Sequence, residues 1–195
     1  MGGTFDPPHQ AHLAVAREAW IRLDLSCVMF IPAGQPWLKS ESVVSPAADR
    51  FEMVRLAISP FPYFRLSSVE VDRLGPSYTV DTLAQLKVDL GSGSELYFLV
   101  GWDALAQLPK WRQASEIIRL SRLVAVPRSG YPRPDVEALE SDIPGIADRV
   151  LFLDMPQMDI SATEIRNRVA RGESIINLVP EPVDAYIRER GLYRS

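Results

Sequence analysis

Two short apolar runs constrain this fold more than anything else in the sequence. Ser26 to Ile31 contains Cys27-Val28-Met29-Phe30-Ile31, and Glu95 to Val100 reads ELYFLV. Neither alternates polar with apolar residues, as a strand wetted on one face would. Each reads instead as a strand buried on both faces, which is characteristic of parallel sheets covered by helices. Helical patterns separate them. His12 to Asp24 carries Leu13, Ala16, Trp20 and Leu23 at helical spacing. Ser45-Pro46 reads as an N-cap and first helical residue leading to about Ser59, and Thr79 to Leu90 is helical up to Gly91. Phe64 to Val71 alternates like a strand. Further on come a helix around Ala114 to Leu120, strands at Leu123 to Val126 and Val150 to Leu153, and helices at Ser161 to Ala170 and Pro182 to Arg190. Alternating units of this kind predict an α/β fold: a Rossmann-like, doubly wound parallel sheet with helices on both faces. Ligands bind such sheets at the carboxyl ends of the strands. The length, 195 residues, suits a single domain over 1–195, with 160–195 as its C-terminal helical part.

Composition narrows the class. Net charge is −4, without the basic excess usual in a nucleic-acid binder, so no nucleic-acid partner is expected. No apolar run approaches the about 20 residues of a membrane span, and no basic-then-apolar leader opens the chain. A single cysteine, Cys27, permits no internal disulfide and reads as a small buried hydrophobe. A cytoplasmic protein is the expectation.

Both histidines of the chain lie in the opening GGTFDPPHQAH. Gly2 and Gly3 permit close backbone approach, the prolines stiffen the turn, and His9 and His12 fall three apart at a helix start, on one face. A helix N-terminus suits a phosphate, and two imidazoles there could donate to phosphoryl oxygens. A metal site, with Asp6 the one further ligand nearby, and a purely structural turn are the alternatives. No Gly-Lys-Ser/Thr follows, so this is not a P-loop. The second stretch is DISATEIRNRVARG. Ser161 and Glu164 have capping-box spacing, which by itself makes only a well-started helix. With Thr163 and Arg166 in the first turns it also makes a phosphate cradle.

The two stretches together, Gly2-Gly3-Thr4-Phe5-Asp6-Pro7 with His9-x-x-His12, then Ile160-Ser161-x-Thr163-x-x-Arg166, resemble the H-x-G-H and I-S-x-T-x-x-R signatures of the nucleotidyltransferase superfamily. Within it the chain resembles the bacterial nicotinate-nucleotide adenylyltransferases, a likeness running from Gly2 to Tyr193. It includes GPSYTVDTL at 75–83, YFLVGWDAL at 97–105, LPKW at 108–111 and LVPEPVDAYIRERGLY at 178–193. The resemblance implies that ATP and nicotinate mononucleotide give the dinucleotide and pyrophosphate, with Mg2+ accompanying ATP and no metal ligand from the protein. It implies phosphate contacts from Gly2, Gly3, Thr4 and Phe5, from His9 and His12, and from Lys39, Ile160, Ser161, Thr163 and Arg166. It implies that Gly101 and Asp103 line the adenosine site and that Thr79, Trp111 and Arg128 serve the second substrate. Without the resemblance, Trp111 reads as a packing anchor, Asp103 and Thr79 as helix caps, and Lys39 and Arg128 as solvated charges.

The chain departs from the family pattern in four places. A short strand normally precedes the glycine pair, where this sequence has only Met1. The expectation is that Met1 ends a strand encoded upstream, whose loss would leave a groove beside the neighbouring strands. Ala11 stands in place of the signature glycine, Pro36-Trp37-Leu38-Lys39 lacks the histidine usual beside the lysine, and Ser129 replaces a proline. Phosphopantetheine adenylyltransferase shares the histidine signature but does not explain the Lys110-Trp111 turn or the GLY ending, and cytidylyltransferases fit less well for the same reason. A nucleotide-binding protein that has lost catalysis is the rival from another class, against which intact His9, His12 and Arg166 argue. Nothing in the pattern distinguishes a monomer from a homo-oligomer.

Overall fold

The computed structural model describes residues 1–36, 44–91, 93–156 and 158–194. They group into two compact units, one of residues 3–76 with 159–195, the other of 1–2 with 77–158.

In the first unit the elements are β1 (Gly2–Gly3, its first residue counted with the other unit), α1 (Gln10–Arg22), β2 (Val28–Pro32), α2 (Ala47–Ile58), β3 (Phe64–Leu66), α7 (Ala162–Ala170) and α8 (Glu181–Arg190). The strands order β1-β2-β3, and β2 pairs with β3 in parallel, Val28 opposite Phe64 and Phe30 opposite Leu66. The first apolar run is therefore a central strand, as its pattern requires, although Cys27 precedes it and is only half-buried. Phe30, Phe64 and Phe61 pack in sequence at 5.0 to 5.1 Å between ring centroids, and Trp20 of α1 stacks on Tyr63 at 3.9 Å.

The second unit holds α3 (Thr79–Leu90), β4 (Tyr97–Gly101), α4 (Trp102–Ala106), α5 (Ala114–Leu120), β5 (Arg122–Val126), α6 (Val136–Leu139) and β6 (Val150–Phe152). Its sheet runs β4-β5-β6, parallel throughout, with Leu99 opposite Val124 and Val124 opposite Leu151. Val100, Leu123 and Ala125 of the strands, Leu83 of α3 and Ile117 of α5 form its core.

The parallel α/β architecture follows the sequence pattern, but the hydrogen bonding falls into two three-stranded ladders rather than one. β1 is only two residues long and lies at the edge of the first of them. The expected strand 64–71 ends at Leu66, because Pro32 closes β2 without an N–H and the chain then turns, with the Asp72 N–H donating to the Ser68 carbonyl at 2.8 Å. Ser45 does not cap α2. Pro46 occupies that position, and its carbonyl accepts the Arg50 N–H at 3.1 Å. α4 and α6, at 5 and 4 residues, are too short to leave a periodic signature.

Candidate active site

His9 is the extended N-cap of α1, and its carbonyl accepts the His12 N–H at 2.9 Å. Its own N–H donates to His12 Nδ1 at 3.1 Å, and the two rings stack at 3.7 Å. Phe5 meets His12 edge-on at 5.0 Å. This geometry selects a tautomer. A neutral imidazole whose Nδ1 accepts a hydrogen bond carries its proton on Nε2, so His12 presents an Nε2–H donor on a ring held from two sides. The helix end itself is less open than its position suggests. The Gln10 N–H already donates to the Leu178 carbonyl at 2.9 Å, so the imidazoles rather than a bare set of amides characterise this site.

The glycine loop before α1 is tightly determined. A Cβ on Gly3 would lie 3.1 Å from the Phe5 ring, and the Gly3 carbonyl accepts the Ala33 N–H at 2.9 Å. Phe5 takes φ 50°, a left-handed conformation that costs a non-glycine residue roughly 1 kcal/mol and must be held by its surroundings. Much of the holding comes from Arg50, which is 1% exposed. Its guanidinium donates to the carbonyls of Thr4 (2.9 Å), Gly34 (3.1 Å) and Ser45 (2.9 Å). Burial pushes Arg50 below its ordinary pKa, and the neighbouring Asp6 carboxylate pulls it back up. Asp6, also buried, accepts the Tyr193 hydroxyl at 2.7 Å and the Ser45 N–H at 3.1 Å.

The second signature joins this cluster. Ser161 caps α7, its Oγ accepting the Glu164 N–H at 3.2 Å, so the capping-box spacing does make a helix start. Arg166 donates to the Asp6 carbonyl at 2.8 Å and reaches Thr163 Oγ1 at 3.4 Å. The fold thus brings Arg166 to the GGTFDP loop across 160 positions of sequence. Ile160 directly precedes the cap, and Lys39 lies outside the described residues. Arg50 and Tyr193 are not among the expected site residues, and Asp6 enters the sequence reading only as the further ligand of the metal alternative. Arg50 had a legible signal, since it shares the helical stripe of Val54, Ala57 and Ile58, an apolar face where a charge must find partners. Tyr193 had none.

In the other unit, Gly101, Asp103 and Arg128 come together. Gly101 is the N-cap of α4, and a Cβ there would overlap the Asp103 carboxylate. Asp103 makes no cap; it faces Arg128 at 3.9 Å as a partly exposed ion pair. Thr79 is the first residue of α3, with Tyr78 rather than Thr79 as N-cap. Trp111 ends a short 3-10 turn, meets Phe98 edge-on at 6.1 Å, and buries an Nε1–H with no hydrogen-bond partner among the described residues.

Comparison with known proteins places the chain in a family. Residues 1–168 match the cytidylyltransferase-like family. A Dehalococcoides mccartyi protein described as "Probable nicotinate-nucleotide adenylyltransferase" is 51% identical over 193 residues, spanning 99% of this chain and 95% of that one. A relative of the same description from Salinispora arenicola is 43% identical over the full length of both. The chain belongs to the nicotinate-nucleotide adenylyltransferase family. Its fold superposes on that of the Plasmodium falciparum nicotinic acid mononucleotide adenylyltransferase solved with NaAD, at a TM-score of 0.79 and 18% identity, covering 98% of this chain and 94% of the other. Among the described residues no helix is long and apolar enough to cross a membrane.

Proposed function

We propose that this member of the nicotinate-nucleotide adenylyltransferase family transfers the adenylyl group of ATP to nicotinate mononucleotide, forming nicotinate adenine dinucleotide and pyrophosphate in NAD biosynthesis. The observation that carries the reading is the stacked His9–His12 pair, whose internal hydrogen bond to Nδ1 leaves the proton of a neutral His12 ring on Nε2. An oxygen of the mononucleotide 5′-phosphate attacks the α-phosphorus of ATP in line. The bond from that phosphorus to the bridging oxygen breaks, and pyrophosphate leaves with the electron pair. No covalent enzyme intermediate forms, so rate comes from positioning and charge neutralisation.

Each unit has its own task in this scheme. In the first, the Gly3 and Thr4 backbone approaches the phosphates, His9 and His12 donate to phosphoryl oxygens, and Ser161, Thr163 and Arg166 hold the polyphosphate, with Lys39 as a further cation. In the second, Gly101 and Asp103 take the adenosine, Asp103 accepting from a ribose hydroxyl. Thr79, Trp111 and Arg128 take the mononucleotide, the indole by stacking. Among the described residues no three His, Cys, Asp or Glu side chains gather to hold a cation. The Asp6 carboxylate is already engaged by Tyr193 and Ser45. A magnesium ion would come in on the phosphates of ATP, where it would neutralise charge.

The test is pyrophosphate release with ATP-Mg2+ and, in turn, nicotinate mononucleotide, nicotinamide mononucleotide and phosphopantetheine. Release is expected with nicotinate mononucleotide above the other two. Release with phosphopantetheine alone, or with none, overturns the reading.

A further inference from the structure

Arg166 is held in place by the loop it serves, and the chain end holds that loop. The acceptor for Arg166 is the main-chain carbonyl of Asp6, at 2.8 Å. A backbone carbonyl is only as well placed as its residue. Asp6 follows Phe5, whose left-handed φ of 50° is not a conformation the loop would keep unaided. The Asp6 carboxylate, 4% exposed, is gripped at both oxygens: Oδ2 takes the Ser45 N–H at 3.1 Å, and Oδ1 takes the Tyr193 hydroxyl at 2.7 Å. Tyr193 stands 187 positions from Asp6 in sequence, just beyond α8, and itself adopts φ 63°. Nothing in helix formation places it there. Burial, with the Asp6 carboxylate beside it, pushes the Tyr193 phenol well above its ordinary pKa, so the hydroxyl remains a donor at every working pH. Arg50 completes the clamp from α2 by holding the Thr4 carbonyl two residues earlier.

We propose that Tyr193 is a positioning residue: its hydroxyl fixes Asp6, and the Asp6 carbonyl in turn fixes the Arg166 guanidinium for the phosphates of ATP. This rests on the proposed role of Arg166 in ATP binding, though not on the identity of the acceptor. Tyr186 offers an internal comparison. It lies on α8 itself and also donates to a buried carboxylate, that of Asp49 at 2.8 Å rather than that of Asp6. If the C-terminal segment acts only as ballast for the fold, losing either hydroxyl has the same consequence. If Tyr193 acts through Arg166, only its loss reaches ATP.

The experiment is a double-substitution cycle on the full chain, with ATP-Mg2+ affinity read by titration calorimetry, turnover read separately, and thermal midpoints recorded for each variant. Tyr193→Phe removes one oxygen atom and is expected to weaken ATP binding about tenfold, the scale of one misplaced charged contact. Arg166→Ala weakens it further, and Tyr193→Phe added to Arg166→Ala has no additional effect, because the pathway is already cut. Tyr186→Phe keeps wild-type ATP affinity whatever it does to the midpoint. Arg166→Lys replaces Arg166→Ala if the latter fails to fold. Wild-type ATP affinity in Tyr193→Phe, multiplicative losses in the double variant, or an equal loss in Tyr186→Phe overturns the proposal. Turnover with nicotinate mononucleotide that is absent while the ATP coupling persists sinks the acceptor assignment alone. A wild-type chain that binds no ATP overturns both.

Discussion

Replacing Arg50 with Met keeps the length and apolar stem of the side chain and deletes the guanidinium. In the native protein that group is 1% exposed and donates to three main-chain carbonyls, of Thr4, Gly34 and Ser45. The substitution leaves all three acceptors without their donor and removes the cation facing the Asp6 carboxylate. Three charged-group hydrogen bonds, at roughly 1.5 kcal/mol or more each, already reach about 4 to 5 kcal/mol. The Asp6 carboxylate also loses a nearby cation, a cost that counts the same desolvated groups and is not additive with this. The expected loss is therefore about 4 kcal/mol, a large share of the 5 to 15 kcal/mol that typically separates folded from unfolded chains. Urea unfolding followed by tryptophan fluorescence reads the total. Amide exchange at Ala33, whose N–H is bonded to the Gly3 carbonyl, reads the loop locally and should accelerate more than exchange in β5. Arg55→Met on the same helix is the control. Arg55 pairs with Glu52 on the exposed face and should leave the unfolding midpoint where it is. An Arg50→Met loss under about 1 kcal/mol, or equal effects from both substitutions, would refute the view that Arg50 organises the glycine loop.

Three other outcomes are expected. His12→Ala should lose about 100-fold or more in kcat, the scale of one lost transition-state donor, while the chain stays folded; near-normal turnover removes His12 from the chemistry. Gly101→Ala has an ordinary φ of −70°, so its cost is steric: the new methyl displaces the Asp103 carboxylate. KM for ATP should rise about tenfold with the thermal midpoint nearly unchanged, and an unaltered KM argues against Asp103 at the ribose. Glu140 is held below the usual carboxylate pKa by the N–H groups of Gly145 and Ala147. A depressed folded pKa contributes order that is complete above about pH 4.5 and is lost as pH falls through the lower folded value. Amide exchange at Gly145 and Ala147 should therefore accelerate on acidification in the wild type, and be pH-flat beyond the intrinsic rate in Glu140→Gln.

Local order was readable wherever a single element answers to its own residues. α3 and α5 have the limits their spacing predicts, at Thr79–Leu90 and Ala114–Leu120, and Ser161 caps α7 through the bond its Glu164 spacing implies. The GGTFDP loop and the I-S-x-T-x-x-R stretch stand out in the sequence as candidate phosphate elements because glycines, histidines and a capped helix start declare their chemistry over a few residues. Strand limits were less legible. β3 stops at Leu66 because its partner runs into Pro32, and no property of residues 67–71 announces that.

The sequence by itself determined the class of fold, through runs too apolar for any strand but a doubly covered one, and it determined the family through two short signatures. Only the tertiary structure decided what holds those signatures. A buried Arg50 reads as an anomaly on an apolar helical stripe until Thr4, Gly34 and Ser45 supply its acceptors. Tyr193 reads as the last aromatic of the chain, set in a polar tail, until it is found against Asp6. Asp6 was weighed as a metal ligand, and its carboxylate instead accepts two hydrogen bonds from residues 39 and 187 positions away. The physical reason is common to all three. Helix and strand patterns are encoded at spacings of two to four residues, whereas the partner of a buried charge is set by chain closure across the whole molecule.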